Sequence, residues 1–345
     1  MNVAVIGAGI AGSVAALEAM ARGWDVTIFA APNAPRCSST AAGMLSPYAE
    51  LETADDTVFE LGMRSLDRWP LLLERLPGHV FFQRQGSLLT AHRSDLPLLR
   101  HLVTLIERKV GKRFAPLSAD EQTALEPDLP HREAVYLPDE GQIDAQGFLE
   151  AAGVLFARSC QLRPLRVSAV RAGEVELGSG AIEQFDWVFD CRGLGAKPDA
   201  RDLRGVRGEI IWVHAPEVSI RRPIRLMHPR YRVYVVPRPD HLYLVGATEI
   251  EAEDRSPVSV RSALELLSAL FSLQPAFAEA RIVRSDVNLR PAFPDNRPRS
   301  EHHDGITRIN GLFRHGCLIA PALVDDAMTF VAQRSASEVQ LHAAH

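Results

Sequence analysis

The sequence predicts an α/β protein. Three observations carry that expectation: an apolar run at the very start that breaks into glycines, an alanine-rich stretch directly after it, and strand–helix pieces that return near the end of the 345-residue chain. Asn2 to Ile6 reads as a short buried strand. Ile10 to Arg22 reads as a helix that Gly23 ends, and Val26 to Phe29 as a second strand, so the chain opens on a strand–helix–strand unit. Asp56 to Leu76 carries Val58, Leu61, Leu66, Trp69 and Leu73 at helical spacing. Phe81 to Ala91 is expected as a strand and Leu96 to Val110 as an amphipathic helix, while Leu117 to Pro130 is broken by prolines. Asp144 is placed to cap a helix running to about Arg158. Val167–Val170, Val175–Leu177 and Trp187–Asp190 are short strands. From Gly208 the pattern alternates: Glu209–His214, Arg232–Pro237 and Leu242–Ala247 are expected to share an antiparallel sheet. Ser259–Phe271 follows as a helix, Ile282–Leu289 and Ile306–Ile309 as strands, and Pro321–Gln333 as a last helix before a polar tail. A strand–helix–strand opening, an interior of another kind and a strand–helix return imply a nucleotide-binding domain interrupted by insertions that build a second one.

Composition narrows the function classes. The chain is 46% hydrophobic and 23% charged, which allows a sizeable core without disulfides. A formal charge of −5 excludes the basic balance usual in nucleic-acid binders. No apolar run reaches the roughly 20 residues that cross a bilayer, so no transmembrane segment is expected. The start of the chain has none of the features of a secretory signal. Cys37, Cys160, Cys191 and Cys317 have neither metal-ligand nor CxxC spacing, which reads as reduced thiols, no metal and a cytoplasmic protein.

Gly7-Ala8-Gly9-Ile10-Ala11-Gly12 is a GxGxxG run between a strand and a helix, the context a dinucleotide site requires. Gly7 allows the tight turn, Gly9 lets backbone approach a pyrophosphate, and Gly12 lets the helix pack close to the strand. The helix N-terminus offers free N–H groups to the phosphates. The second strand lacks the Asp or Glu that would bind ribose: Phe29 is followed by Ala30 and Ala31. Asn33 or Ser38 is the candidate substitute, and Arg36 is the one basic residue that would suit NADP instead.

The segment Cys37-Ser38-Ser39-Thr40-Ala41-Ala42-Gly43-Met44-Leu45 has no use in a plain NAD domain. It resembles the D-amino-acid oxidase superfamily, most closely the glycine oxidases of thiamine biosynthesis, the ThiO group. Further matches follow in order: Tyr234 in Val233-Tyr234-Val235-Val236-Pro237-Arg238, then Val245-Gly246-Ala247-Thr248. Leu289-Arg290-Pro291 with Asp295 and Pro298 comes next, and Gly311-Leu312-Phe313-Arg314-His315-Gly316 with Ala320-Pro321 last. Three positions depart from the pattern: Arg232 in place of a histidine, Glu249 in place of a methionine, and Asn288 in place of a glycine.

The resemblance implies non-covalent FAD and a Rossmann-type, discontinuous FAD-binding domain over 1–79, 141–205 and 281–345. An α+β substrate domain with a mixed or antiparallel sheet, over 80–140 and 206–280, would roof the flavin. FAD would be held by Gly7, Gly9, Ile10, Ala11, Gly12, Ala30, Ala31, Ser38, Ser39, Thr40, Ala42, Gly43, Met44, Leu165 and Gly193. The last turn would add Gly311, Arg314, His315, Gly316, Leu318 and Ile319. Arg290 would grip a substrate carboxylate as a bidentate fork that lysine could not imitate. Tyr234 would hydrogen-bond the same carboxylate, and Arg314 would lie at the flavin edge near the substrate. Met44 would narrow the pocket. Glu249 would meet the substrate amine or face solvent. Cys317 is either a covalent flavin anchor or a buried inert thiol, and the second is the plainer reading.

The activity so implied is oxidative deamination of glycine or another small amino acid, with O₂ as acceptor and H₂O₂ as product, supplying thiazole synthesis for thiamine. No side-chain base is needed, because orientation supplies much of the rate. A D-amino-acid or sarcosine-type dehydrogenase with a non-oxygen acceptor, and a flavin binder without amine chemistry, stay open, as does a more distant nicotinamide dehydrogenase. The partners expected are a small amino acid, O₂ and further copies of the same chain.

Overall fold

The computed structural model describes residues 1–53, 56–130, 132–229 and 233–343, with side chains as far as Arg334. Arg232, one of the departures noted above, lies outside the described residues. Two large sheets organise the chain. The first has six strands in the order 299–303, 306–310, 187–190, 2–6, 25–29, 161–163. Five of them, from 306–310 to 161–163, pair in parallel, with Val3 opposite Trp187 and Val26, and 299–303 is antiparallel at the edge. Parallel strands are buried on both faces. Accordingly Ala4, Ile6, Phe29 and Val188 pack under the small antiparallel sheet 167–171, 174–177, 182–184, while Val3, Val5, Val26 and Ile28 face helices. The three-layer order helix, sheet, sheet follows.

The helical layer comprises Ile10–Ala21, Asp56–Leu73, Ala145–Ser159 and Gly316–Ala343. Ile10–Ala21 is buried along almost its whole length, which explains why it is alanine-rich rather than amphipathic. The last helix starts at Gly316, five residues before the expected Pro321, so the proline lies inside it. A proline there cannot donate to the carbonyl four residues back. That carbonyl, Cys317 O, instead accepts the indole N–H of Trp69 at 2.9 Å, and the Ser65 hydroxyl accepts from Ala322 N–H at 3.0 Å. Both donations come from, or go to, the helix Asp56–Leu73, which repairs what the proline breaks. Residues 316–334 are long and apolar enough to cross a bilayer by length and composition, contrary to the expectation of no such run. Their apolar faces are spent on the core instead: Ile319, Val324, Met328 and Val331 are fully buried among the other helices.

The second sheet has seven strands in the order 281–292, 204–214, 242–246, 233–238, 224–227, 87–91, 134–137. It is mixed, because 87–91 runs parallel to 224–227 while the rest are antiparallel. Side chains alternate across it. Ile211, Val213, Val233, Val235, Tyr243 and Val245 meet the helix Val260–Leu273. Ile210, Trp212, Tyr234, Val236 and Leu244 face the other way, onto Ala42 and Met44. This period of two aims Tyr234 at the small-residue segment.

Three local expectations need correction. Phe81–Ala91 is two short strands, 82–83 and 87–91, because Gly86 turns at φ +74° and the Tyr136 ring stands 2.2 Å from where its Cβ would be. The stretch 117–130 holds a helix, Ala119–Leu125, begun by a reciprocal capping box between Ser118 and Glu121 that was overlooked beside the prolines. The strand 281–292, expected with the nucleotide-binding segments, pairs along its length with 204–214 in the second sheet.

Candidate active site

The two sheets meet over a cavity of about 2170 Å³ that runs from the glycine turn to the strand carrying Arg290. At the glycine turn, backbone is forced close to backbone. Gly7 has φ +100°, and a Cβ there would lie 2.6 Å from the Cys191 carbonyl oxygen. A Cβ on Gly12 would lie 1.8 Å from the Gly7 oxygen, so Gly12 shapes the turn from behind the wall without lining it. Gly43 has φ +68°, and its Cβ would meet the Ile143 oxygen at 1.8 Å. Only glycine fits such positions. The helix Ile10–Ala21 has no side chain of its own at its cap. The Ile10 N–H instead donates to the Ser38 hydroxyl at 3.1 Å, which brings the second segment against the helix start.

Most residues expected to hold the cofactor line this cavity: Gly7, Gly9, Ile10, Ala11, Ala30, Ala31, Ser38, Thr40, Ala42, Gly43, Met44, Leu165, Gly193, Arg314, His315, Gly316 and Leu318. Gly12, Ser39, Gly311 and Ile319 do not. The Ser39 hydroxyl turns back to the Arg36 carbonyl, Gly311 at φ +70° packs against the Phe293 ring, and Ile319 is sealed in the helix core. Of the two candidates for the missing carboxylate beyond Phe29, Ser38 is committed to Ile10, while Asn33 lines the cavity beside Ala31 with φ +58°. Arg36 reaches the Ala8 carbonyl at 3.2 Å.

At the opposite end Arg290, Tyr234 and Arg314 come together from strand 281–292, strand 233–238 and the turn before the last helix. Arg290 Nη1 donates to the Thr248 carbonyl at 3.0 Å and to the Arg207 carbonyl at 3.4 Å. Gly208, opposite, admits it: a Cβ there would lie 2.4 Å from the guanidinium carbon. Among the described residues no carboxylate pairs with Arg290, and no hydrogen bond is made by the Tyr234 hydroxyl. Burial raises the Tyr234 pKa, so the phenol stays protonated and can donate.

Arg314 is differently placed. Its Nε and Nη2 donate to the Glu50 carboxylate at 3.1 and 2.8 Å, Nη2 also to the Thr53 hydroxyl, and Nη1 to Glu249 at 3.1 Å. Burial works to raise the Glu50 pKa, but the Arg314 guanidinium, with Arg225 behind it, overcomes this and holds it down to about 2. Arg314 therefore lines the pocket as part of an ion-pair group rather than as an open fork. His315, 4% exposed, sits with Nδ1 3.4 Å from Glu50 without a hydrogen bond, and burial lowers its pKa, so it is neutral. Burial pushes the Cys317 thiol up to about 12, which fits an inert thiol rather than a nucleophile. Asn288 ties strand 281–292 to the segment after the second strand, accepting from Arg255 at 2.9 Å and donating to the Arg36 carbonyl at 3.0 Å.

Two residues escaped the sequence reading. Glu50 ends the short helix Pro47–Glu50, and Glu140, fully buried, accepts from the Tyr48 and Ala49 N–H groups that begin it, at 3.0 and 3.2 Å. The available signal was Ser46-Pro47, a helix-start pair directly after the small-residue segment, with a lone carboxylate one turn on.

The glycine turn, the small-residue segment and the first turn of the last helix together make an elongated cradle of backbone N–H groups and small side chains. That fits a flavin dinucleotide, whose pyrophosphate needs close backbone and whose flat ring needs a wall without bulk. The family model for FAD dependent oxidoreductases, DAO, matches residues 2–325. A protein of Rhizobium etli named as a thiamine biosynthesis oxidoreductase ThiO is 37% identical over 332 residues, covering 94% of this chain and 95% of that protein. The glycine oxidase of Geobacillus kaustophilus is 26% identical, covering 93% and 90%. The crystal structure of a glycine oxidase from Bacillus cereus superposes with a TM-score of 0.82 at 23% identity, over 96% of this chain and 95% of that one, and so shares the fold. With that family match and a relative 37% identical across nearly its whole length, the chain belongs to the DAO family of FAD dependent oxidoreductases.

Proposed function

We propose that this FAD-dependent enzyme oxidises the amine-bearing carbon of glycine or another small amino acid to the imine, with O₂ reduced to H₂O₂. We place it in the supply of the thiazole of thiamine, as the name of the Rhizobium etli relative suggests. One observation carries the reading: Arg290 faces the cavity with its guanidinium anchored on one edge by two carbonyls and, among the described residues, no carboxylate to neutralise it. A cation left unpaired in a pocket is costly unless an anion arrives. A substrate carboxylate is the anion whose planar geometry matches a guanidinium fork.

In this reading Arg290 binds the carboxylate and Tyr234 donates its hydroxyl to the same group. The two anchors, on strands 281–292 and 233–238 of the same sheet, fix the orientation of the remaining carbon and amine. Met44, packed with Ile210 and Tyr234, limits the space beyond the carbon and keeps the substrate small. Glu50 is tied to Arg314 and burial weakens His315 as a base, so the amine enters neutral or loses its proton to solvent. When bound, FAD supplies the two-electron oxidation. Gly7, Gly9, Ile10 and Ser38 would hold its pyrophosphate, and Ala42 to Met44 with His315 to Leu318 would hold its ring. The division of the chain belongs to the same proposal: 1–79, 141–205 and the part of 281–345 after strand 281–292 form the FAD domain, and that strand joins 80–140 and 206–280 on the substrate side.

The test is anaerobic addition of glycine, sarcosine and small D-amino acids to the yellow protein. Bleaching of the oxidised flavin band with at least one of them supports the reading, and an unchanged spectrum with all of them rejects it. Admitting air then distinguishes acceptors: stoichiometric peroxide supports O₂, and reduction without peroxide supports a dehydrogenase.

A further inference from the structure

Of the two carboxylates that share Arg314, Glu249 has the less structural work to do. Glu50 is mostly buried, 18% exposed, and binds two nitrogens of Arg314; Glu249 is 47% exposed and binds one, at 3.1 Å. It follows Thr248, whose carbonyl anchors Arg290, so it stands on the wall directly beyond the expected carboxylate grip. Two carboxylates share one guanidinium, so once a substrate carboxylate neutralises Arg290 this part of the wall keeps one negative charge in excess. Beside it His315 is neutral, Arg225 is bound to Glu52 and the Ala49 carbonyl, and Arg207 is paired with buried Glu209.

We propose that Glu249 sets the charge preference of the pocket: by occupying Arg314 Nη1 it keeps a second arginine away from the substrate and presents a negative wall to the substrate side chain. The inference rests on the proposed amino-acid oxidation and deepens it. With Glu249 in place, Arg314 Nη1 is occupied, and Arg290 is left as the grip for the substrate's carboxylate. A dicarboxylic amino acid would put its second carboxylate against Glu249, and like charges so juxtaposed are strongly disfavoured. Neutral substrates escape this repulsion, and a distal ammonium would meet an opposite charge in Glu249. Removing the Glu249 charge does two things together: it lifts the repulsion, and it turns Arg314 Nη1 into a free donor for a distal carboxylate, with Glu50 still holding the rest of the guanidinium.

The experiment measures anaerobic flavin reduction, as rate and half-saturation separately, for glycine, D-alanine, D-lysine, D-aspartate and iminodiacetate in four full-length holoproteins: unmodified, Glu249→Gln, Glu249→Met and Glu249→Asp. The unmodified enzyme is expected to use the dicarboxylates at least about 100-fold less efficiently than glycine. Glu249→Gln and Glu249→Met are expected to raise efficiency with dicarboxylates by about tenfold or more and to lower it with D-lysine, mainly through half-saturation. Glu249→Asp, which keeps the charge, should retain the original ranking. Flavin content and melting temperature confirm that each variant is folded. If the flavin is reduced but the acid-to-base ranking is the same in all four proteins, or if Glu249→Asp shifts it as much as Glu249→Gln, the inference is wrong and the proposed function stands. If no amino acid reduces the flavin in any of them, the proposed function fails and the inference falls with it.

Discussion

At one end of the cavity the wall is backbone, brought near by Gly7 and Gly43 at positive φ and by Gly12 against the Gly7 carbonyl. At the other end the wall is side chains: Glu50, Tyr234, Glu249, Arg290 and Arg314 arrive from five separate stretches of sequence. The first end tolerates almost no added atom and depends little on charge. The second is an electrostatic arrangement in which each arginine is defined by what it is paired with. Arg290 and Arg314 look equivalent as residues, yet one has two carbonyls and the other two carboxylates. The same side chain thus acts as a receptor in one place and as a clasp in the other.

That contrast can be broken by substitution. The largest effect is expected for Gly12→Val, where the new carbon would fall inside the Gly7 carbonyl. Strain on this scale forces the turn open, and the purified protein should be colourless, with no absorbance from oxidised flavin. Arg290→Ala comes next: the protein should stay yellow and folded, while the efficiency of flavin reduction by its best amino acid falls by about 2–5 kcal/mol in transition-state terms. Arg290→Lys should recover only part of it, since an ammonium cannot form the fork. Tyr234→Phe removes one hydrogen bond and should raise half-saturation by an amount corresponding to about 0.5–1.5 kcal/mol, with little change in the limiting rate.

The smallest effects are on stability against pH, and the two buried glutamates should move it in opposite senses. Glu50 is held ionised in the folded state, down to about 2, by Arg314 despite its burial. Its contribution is therefore complete above the ordinary carboxylate range and is lost as pH falls toward about 2. Glu50→Gln should flatten the acid side of a plot of melting temperature against pH. Burial pushes Glu140 up to about 7 against the Ser87 and Ala49 donors. The folded state then binds a proton that the unfolded chain has released, and stability should decline as pH rises from the ordinary carboxylate range to about 7. If neither slope changes in the corresponding variant, the short helix 47–50 is held by packing alone.

The N-terminal strand–helix–strand unit was legible to within a residue or two, because Asn2–Ile6, Ile10–Ala21 and Asp25–Phe29 are set by local apolar runs and by glycines that end them. The helix 119–125 was hidden by neighbouring prolines although its capping box was present in the sequence. The start of the last helix was misplaced because a proline inside a helix is tolerated only when another element repairs its lost hydrogen bond, and Trp69 and Ser65 do so from 257 residues or fewer away. Arg290 and Tyr234 were readable through resemblance to a family; Glu50 and Glu140 were not, since nothing in a lone glutamate tells what will surround it.

By itself, then, the chain determined its class of fold and the place of its phosphate cradle, because both follow from short-range rules: the period of two or 3.6 residues, and the backbone conformations that only glycine reaches. What it left to the tertiary structure was the charge state of the pocket. Whether a guanidinium is open to a ligand or tied to Glu50 and Glu249 depends on distances between residues far apart in sequence. Electrostatic energies in a partly buried site change by whole kcal/mol over a few ångströms, and those distances exist only once the two sheets have closed on one another.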